Sequence, residues 1–113
     1  MLDWLKGKPK AAREAEPPVD MDFEELNDSP NPYYVVDLRD LTAYRQGHIK
    51  GSHLIPYMEL TKRMHELPKN QMIVAVDASE RRGRQAAKLL RTEGFRAHNL
   101  KGGIAGWTGK LVK

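Results

Sequence analysis

The chain has 113 residues, 40% of them hydrophobic, and it contains no cysteine. A chain of this length suits one domain with one hydrophobic core. The missing thiol excludes disulfide bonds, thiolate metal ligands and cysteine catalysis within this sequence. The formal net charge of +4 permits contact with acidic partners without requiring it.

The sequence has no apolar run close to the roughly 20 residues that a transmembrane helix needs. The apolar side chains within residues 1–8 are too few and too close to charges for a signal peptide. We therefore expect a cytoplasmic protein. Residues 6–18 are rich in Lys, Ala, Glu and Pro, so we expect a loosely ordered N-terminal segment over residues 1–16 and one folded domain over residues 17–113.

Five short runs, apolar throughout or in part, predict five strands. They are Val19–Met21, Tyr33–Val36, Leu54–Ile55, Met72–Val76 and Ala97–Leu100. The fourth run is unbroken, which is typical of a strand buried on both faces of a parallel sheet. Helical patterns lie between the runs. This alternation predicts an α/β fold with a mainly parallel central sheet of about five strands and helices on both faces.

The helices predicted between these strands have recognisable ends. Asp22 and Asp40 each precede a short helix as N-cap residues, and Gly47 ends the second one. Leu60–Leu67 repeats apolar residues with helical spacing and is closed by a proline. The last helix follows the fourth strand and has an apolar face within Ala86–Leu90.

The segment after the fourth strand is the candidate functional site. A loop between a parallel strand and a helix lies at the carboxyl edge of the sheet, where open α/β folds bind ligands. Backbone amides and the positive end of the helix dipole favour an anion or a thiolate there. The predicted active-site-like loop consists of Asp77, Ala78, Ser79, Glu80, Arg81, Arg82, Gly83 and Arg84.

Several segments, taken in order, resemble the rhodanese homology domain. Asp37-Leu-Arg39 is similar to that family's Asp-Val-Arg, and Tyr44–Pro56 is similar to its Tyr-x-x-Gly-His-Ile-x-Gly-Ala-x-x-Ile-Pro. Gly94-Phe95 and Leu100–Trp107 match the family's Gly-Phe and its Leu-x-Gly-Gly-x-x-x-Trp ending. The resemblance covers roughly residues 17–107 and implies the three-layer rhodanese-like fold.

The loop departs from the family pattern Cys-x-Ser-Gly-x-Arg-Ser. The alignment places Asp77 at the cysteine, Ser79 at the first serine, Glu80 at the glycine, Arg82 at the arginine and Gly83 at the second serine. Active members of that family carry sulfur as a persulfide on the cysteine, and this chemistry needs a polarizable thiolate. A carboxylate cannot be persulfidated. The resemblance therefore implies the fold and argues against the family's reaction.

The altered residues also predict a changed charge in the loop. Asp77 is expected to accept hydrogen bonds from the loop amides and to pair with Arg82, so that its own side chain occupies the pocket. The same carboxylate should repel thiosulfate or phosphate. Glu80 adds a second negative group, and it would oppose a positive-φ turn if the loop needs one there.

Three residues outside the loop are predicted to support it. Asp37 and Arg39 are expected to form a structural ion pair that is buried or half-buried. His48 is expected to be a structural hydrogen-bonding residue near the loop. The four histidines lack the spacing of zinc ligands and no thiolate is present, so we expect no metal and no cofactor.

A cluster of basic residues lies within and after the loop. It consists of Arg81, Arg82, Arg84, Lys88 and Arg91. Aromatic residues do not alternate with these basic ones, so nucleic-acid binding is not expected. The preferred interpretation is an anion cradle followed by a solvated helix face.

The leading hypothesis is a rhodanese-like domain that lacks the persulfide-forming cysteine and serves as a non-catalytic binding or regulatory module through residues 77–84. The resemblance implies another protein as its partner, either a sulfur-relay protein or one encoded with it, and a small anion as a ligand of the loop. One alternative is a thiosulfate or protein sulfurtransferase by ancestry. Another is an anion-processing enzyme that uses Asp77 as base or nucleophile. A further hypothesis is that the natural protein carries a cysteine at position 77.

Overall fold

The computed structural model describes residues 17–28 and 33–113, so the predicted N-terminal segment 1–16 lies outside the described residues. Within these ranges the strands are β1 (Asp20–Met21), β2 (Tyr34–Asp37), β3 (His48–Ile49), β4 (His53–Leu54), β5 (Ile73–Val76), β6 (Ala97–Leu100) and β7 (Leu111–Val112). Five of them form one sheet in the order β1-β6-β5-β2-β4, in which all neighbouring strands are parallel. The strands β3 and β7 form a small antiparallel sheet.

Helices and short 3₁₀ turns connect the strands. The α-helices of the described ranges are α1 (Phe23–Asn27), α2 (Leu41–Gln46), α3 (Leu60–Arg63) and α4 (Arg81–Thr92), and the 3₁₀-helices are Tyr57–Glu59, Met64–Glu66 and Ile104–Gly106. Asp40 caps α2 as predicted, because its side chain accepts a hydrogen bond from the amide of Ala43 at 2.8 Å. Asp22 precedes α1 at the N-cap position, but its side chain makes no cap bond.

The strand β5 is the centre of the sheet, and both of its faces are covered. Ile73 and Ala75 belong to a core cluster that includes the apolar face of α4. Val74 and Val76 belong to a second cluster on the other face, against which residues of α1 and the C-terminal segment pack. Successive side chains of a strand point to opposite faces, so a strand covered on both faces is apolar throughout. The predicted α/β fold with a parallel five-stranded sheet and helices on both faces is confirmed.

Two parts of the fold differ from the prediction. The helix predicted over Leu60–Leu67 is divided into α3 and the 3₁₀ turn Met64–Glu66, and a second 3₁₀ turn, Tyr57–Glu59, precedes α3. Such turns are common at the ends of short helices. Leu60 and Leu67 are nevertheless both buried, as the helical spacing requires. The pair of β3 and β7 was not predicted, because strands of two residues are too short to show an alternating pattern.

Candidate functional site

Parallel strands bring three separate segments to one edge of the sheet. Asp77 follows the end of β5, Asp37 ends β2, and a Gly102-Gly103 turn follows the end of β6. The carboxyl ends of parallel strands share an edge, and the loop at that edge leads into the N-terminus of α4. The predicted loop, its predicted supporting ion pair and a glycine turn therefore lie close together.

Asp77 lies at the buried start of the loop, with 9% of its surface exposed. Its carboxylate makes no hydrogen bond or ion pair among the described residues. The oxygens keep contact with solvent, because the fully enclosed side-chain atoms without a partner in these ranges are Ser52 Oγ and Asn99 Oδ1. Contact with solvent lowers the cost of burying a polar group that has no described partner.

The predicted ion pair between Asp77 and Arg82 is wrong. Arg82 extends over the ring of Tyr57, with its guanidinium carbon 5.2 Å from the ring centroid. The charge of Asp77 acts instead on Arg39. The hydrogen bonds that Arg39 donates to Asp37 are the main cause that raises the pKa of Arg39, and the negative charge of Asp77 raises this pKa further.

The backbone amides of the loop have no described hydrogen-bond acceptor. Among the described hydrogen bonds, the amides of residues 78–83 donate none, so the prediction that the Asp77 carboxylate accepts them is also wrong. Two carbonyl groups of the loop are hydrogen-bonded. Those of Asp77 and Ala78 accept hydrogen bonds from the amides of Ile104 (2.9 Å) and Ala105 (3.2 Å), respectively. A run of free amides at the start of a helix is a donor set suited to an anionic group.

Glu80 is bound into the fold. Its Oε2 atom accepts hydrogen bonds from the amide of Gly102 (3.0 Å) and from Nη2 of Arg84 (3.1 Å). Its backbone lies near the helical region, at φ −114° and ψ −23°. The conflict considered for a positive-φ turn therefore does not arise at this position. Glu80 joins the loop to the glycine turn that follows β6.

Arg84 is held by two carboxylates. Its Nε and Nη2 atoms donate to the two carboxylate oxygens of Asp20 at 3.0 Å each, and Nη2 also pairs with Glu80. The hydrogen bond from Arg84 is the main cause that lowers the pKa of Asp20, and the bond from Asn99 lowers it further. The charge of Arg84 is thus balanced inside the domain. Arg81 and Arg82 are exposed and make no hydrogen bond or ion pair among the described residues.

Gly83 is required by the packing of α4 against β6. A Cβ atom at this position would collide with Oδ1 of Asn99, which is completely buried. The side-chain amide of Asn99 is fixed in turn, because its Nδ2 donates to Asp20 at 3.0 Å. The serine that the family pattern has at position 83 therefore has no room here.

The predicted supporting residues lie in two places. Arg39 and Asp37 form a close ion pair of 2.8 Å with side chains 11% and 1% exposed, and Arg39 also donates to the carbonyl of Gly47. His48 stacks on Tyr44, and its Nδ1 lies 2.8 Å from the carbonyl oxygen of the same residue. None of the described contacts of His48 involves residues 77–84. The ion pair therefore borders the loop, whereas His48 contacts Tyr44 of α2 and pairs with Val112 of β7.

Sequence reasoning missed three parts of this edge, namely Asp20, Asn99 and the Gly102-Gly103 turn. Asp20 and Asn99 are far apart in sequence and meet only because β1 pairs with β6 in that register. Gly103 has a φ of 59°, and a Cβ atom there would collide with the carbonyl oxygens of Asp77 and Ser79. The adjacent glycines were the only signal for this contact that the sequence carries.

The chemical groups available at the edge are carboxylates, guanidinium groups and free amides. Within the described ranges, no group of three or more His, Asp or Glu side chains could hold a metal ion. In the same ranges no helix has the length and apolar character needed to cross a membrane.

Comparison with known proteins assigns the domain. The profile of the family described as Rhodanese-like domain matches residues 21–110. The chain belongs to this family. A putative sulfur carrier protein of Bacillus subtilis is 35% identical to this rhodanese-like domain over 89 residues, which cover 78% of this chain and 48% of that protein. A sulfurtransferase of Allochromatium vinosum is 35% identical over 74 residues, which cover 65% of this chain and 69% of that protein.

The rhodanese-like domain also resembles solved structures. The crystal structure of a rhodanese-related protein from Thermoplasma volcanium matches it with a TM-score of 0.79 at 24% identity, covering 82% of this chain and 96% of that one. This likeness shows the fold. The chain spans 48%, 62% and 56% of the length of the first three curated relatives it matches.

Proposed function

We propose that this rhodanese-like domain is a non-catalytic binding or regulatory module that recognises another protein through residues 77–84. A sulfur-relay protein of the cytoplasm is the partner class suggested by the names of its relatives, one a putative sulfur carrier protein and another a sulfurtransferase. Residues 17–113 form the folded unit of the proposed module.

The observation that carries this proposal is the unpaired carboxylate of Asp77 at the position of the family's nucleophilic cysteine. Transfer of sulfur through a persulfide needs a thiolate, and this chain has no cysteine. The negative charge of Asp77 also opposes the approach of an anionic sulfur donor such as thiosulfate. Both effects disfavour the family's reaction while leaving the fold intact.

The surface around Asp77 supports a role in recognition. Ala78, Ser79, Arg81 and Arg82 are exposed, whereas Glu80 and Arg84 are committed to contacts inside the domain. Exposed guanidinium groups that lack an internal carboxylate partner are available to acidic side chains of another protein. Free amides beside them can donate hydrogen bonds to a carboxylate or a small anion.

Sulfur transfer from thiosulfate to cyanide tests the proposal, with the native chain, Asp77→Cys and Asp77→Ser assayed together. Asp77→Ser is the matched control, because it removes the carboxylate without supplying a thiol. We expect no turnover from the native chain or from Asp77→Ser. Persulfide formation on Asp77→Cys, detected by mass spectrometry, would show that the free amides still form a working cradle. Turnover by the native chain at the rate of an ordinary enzyme would contradict the proposal.

A second candidate is an enzyme that processes a small anion with Asp77 as base or nucleophile. The free amides of residues 78–83 beside a carboxylate that keeps solvent contact favour it. With acetyl phosphate, an oxygen of Asp77 would attack phosphorus and acetate would leave. Mass spectrometry would then find a phosphoryl group on a peptide of the native chain and none on Asp77→Asn. An unmodified native peptide would leave the binding module as the function.

A further inference from the structure

A groove lies on the face of the sheet opposite α4, away from residues 77–84. It has a volume of about 570 Å³ and lies between α1, β2, β3 and the C-terminal segment. Val35 and Ile49 form its floor, since they are buried members of the second core cluster. The volume falls within the range of roughly 300–1,000 Å³ that ligand-binding clefts occupy.

The walls of the groove are apolar and only partly covered. Leu26, Tyr33, Trp107 and Val112 line it, and each is half-buried. The opposite face of the sheet is closed by α4, whose Ala86, Ala87 and Leu90 are completely buried. Among the described residues, the groove face is covered by a short helix, a 3₁₀ turn and a two-stranded sheet, and the apolar side chains of its walls stay partly exposed. Exposed apolar surface that is rimmed by polar residues is typical of an interaction site.

Trp107 is a fixed wall of this groove. The ring of Phe23 packs edge-on against it with centroids 4.7 Å apart, and its indole Nε1 donates to the carbonyl of Lys110 at 3.3 Å. A Cβ atom on Gly109 would lie 3.0 Å from the indole ring, so the chain passes closely over it. An aromatic side chain that is already held in place loses little conformational entropy when a partner binds, and such residues dominate binding energies.

The rim of the groove is positively charged. Lys50 and Lys110 line it, both are exposed, and neither makes a hydrogen bond or ion pair among the described residues. No acidic residue is among the described residues that line the groove. In contrast, the exposed Arg84 is paired with Asp20 and Glu80. Two uncompensated lysines beside apolar walls favour a partner that carries negative charge next to apolar side chains.

We propose that this groove is a docking site for a segment of a partner protein in which Asp or Glu residues flank one or two large apolar side chains. A second copy of this chain is disfavoured. In a two-fold interface the same patch of both copies meets, so the positive charges of Lys50 and Lys110 would repel those of the other copy. Nucleic acid is disfavoured as well, because the floor and walls of the groove are apolar and phosphate contacts need more cations than these two.

Selection from a phage-displayed library of random dodecapeptides, with the full native chain as target, tests this site. We expect enrichment of peptides with an aromatic residue or leucine flanked by Asp or Glu. Affinity for a synthetic copy of an enriched peptide should fall about tenfold or more in the double variant Lys50→Glu/Lys110→Glu, because charge reversal at the rim turns attraction into repulsion. In an NMR titration, adding the peptide should shift the resonances of the Ile49 amide and of the Trp107 indole N–H.

The matched control reverses two positive charges on the loop instead of the two on the rim of the groove. Arg81→Glu/Arg82→Glu should bind the selected peptides as the native chain does, which separates this site from the proposed function of residues 77–84. A peptide whose acidic residues are replaced by lysine should bind Lys50→Glu/Lys110→Glu and not the native chain. That rescue excludes misfolding as the cause of a lost interaction.

Several outcomes would overturn the docking site. These are a library without enrichment, enriched peptides that are neutral or basic, and affinity that falls equally in the loop variant. A dimer in sedimentation that Lys50→Glu/Lys110→Glu abolishes would assign the groove to a second copy. Tighter binding of a random single-stranded oligonucleotide than of any peptide would assign it to nucleic acid.

Discussion

Asp37 and Asp77 lie at the same edge of the same sheet and have opposite surroundings. Residue 37 ends β2, and its partner in the register is Val76, the residue before Asp77. The carboxylate of Asp37 accepts hydrogen bonds from the backbone and the side chain of Arg39. The carboxylate of Asp77 accepts none among the described residues. Both carboxylates are buried, but one is paired within the domain and the other has no described partner.

The difference follows from where the neighbouring arginines are attached. Arg39 lies on the turn after β2, two residues beyond Asp37, and folds back onto it. The arginines after Asp77 lie on α4, which directs Arg82 towards Tyr57 and Arg84 towards Asp20. A sequence with several arginines beside an aspartate therefore does not by itself give an ion pair.

The largest expected effect is that of breaking the Asp37 pair. Asp37→Asn leaves the guanidinium of Arg39, with its side chain 11% exposed, without its counter-charge. We expect a loss of about 3–5 kcal/mol in the free energy of unfolding, measured by urea denaturation. Asp77→Asn is the matched control at the same edge. Equal losses from the two substitutions would remove the distinction between the two carboxylates.

The next largest effect concerns the fit of α4 on β6. Gly83→Ser forces a Cβ atom against Oδ1 of Asn99, so we expect a loss of about 1–3 kcal/mol in the free energy of unfolding. Gly106→Ala is the control, because a Cβ atom there lies 3.7 Å from the carbonyl oxygen of Lys101, which is an ordinary van der Waals contact. Adding Asn99→Ala should recover part of the loss from Gly83→Ser, and a purely additive double mutant would contradict the proposed collision.

A smaller effect is expected from the Asp20 pair as the pH falls. The hydrogen bond from Arg84 lowers the pKa of Asp20 below its ordinary value of about 4, so the unfolded chain takes up this proton first. The stabilisation is therefore complete above about pH 4 and is lost as the pH falls through the folded-state pKa. We expect Asp20→Asn to lower stability by less than about 1 kcal/mol at neutral pH, given solvent screening.

The measurement for this pair is urea denaturation of the native chain and of Asp20→Asn between neutral and acidic pH. The difference between the two should shrink below about pH 4. A difference that stays constant down to low pH would mean that Asp20 contributes through packing and not through its charge.

The smallest effect on stability is expected at Asp77. Asp77→Asn removes a carboxylate without described partners, so the free energy of unfolding should change by no more than about 0.5 kcal/mol. Thiosulfate should bind the variant more tightly than the native chain, because a like charge beside the free amides is gone. NMR titration of the amides of residues 78–83 measures this. Weaker binding by the variant would show that Asp77 assists the anion.

The sequence was sufficient for the fold because the strands that build it carry strong patterns. The unbroken apolar run that ends at Val76 predicts a central strand, and the ordered family segments fix the order of the rest. The position of Asp77 at the exit of that strand follows from the same pattern. One prediction that failed, the ion pair of Asp77 with Arg82, needed the direction of an arginine side chain, which depends on the face of α4 that the residue occupies.

Contacts between segments that are distant in the sequence could not be predicted either. The hydrogen bond from Asn99 to Asp20 exists only because β1 and β6 pair in one register, and no local sequence pattern predicts it. The groove beside Trp107 needs the cover provided by α1 and β7, two elements that are too short to give a clear period. Trp107 itself is visible in the sequence, but its exposed side is a property of the assembled fold.

Gly103 has a consequence for exchanging parts between members of this family. Its backbone lies against the carbonyl oxygens of Asp77 and Ser79, and the residues that follow it donate to the carbonyls of Asp77 and Ala78. Residues 77–80 and 102–105 therefore form one structural unit, although more than 20 positions separate them in the sequence. A loop transplanted from a relative that forms a persulfide would keep its shape only if the matching glycine turn were transplanted with it.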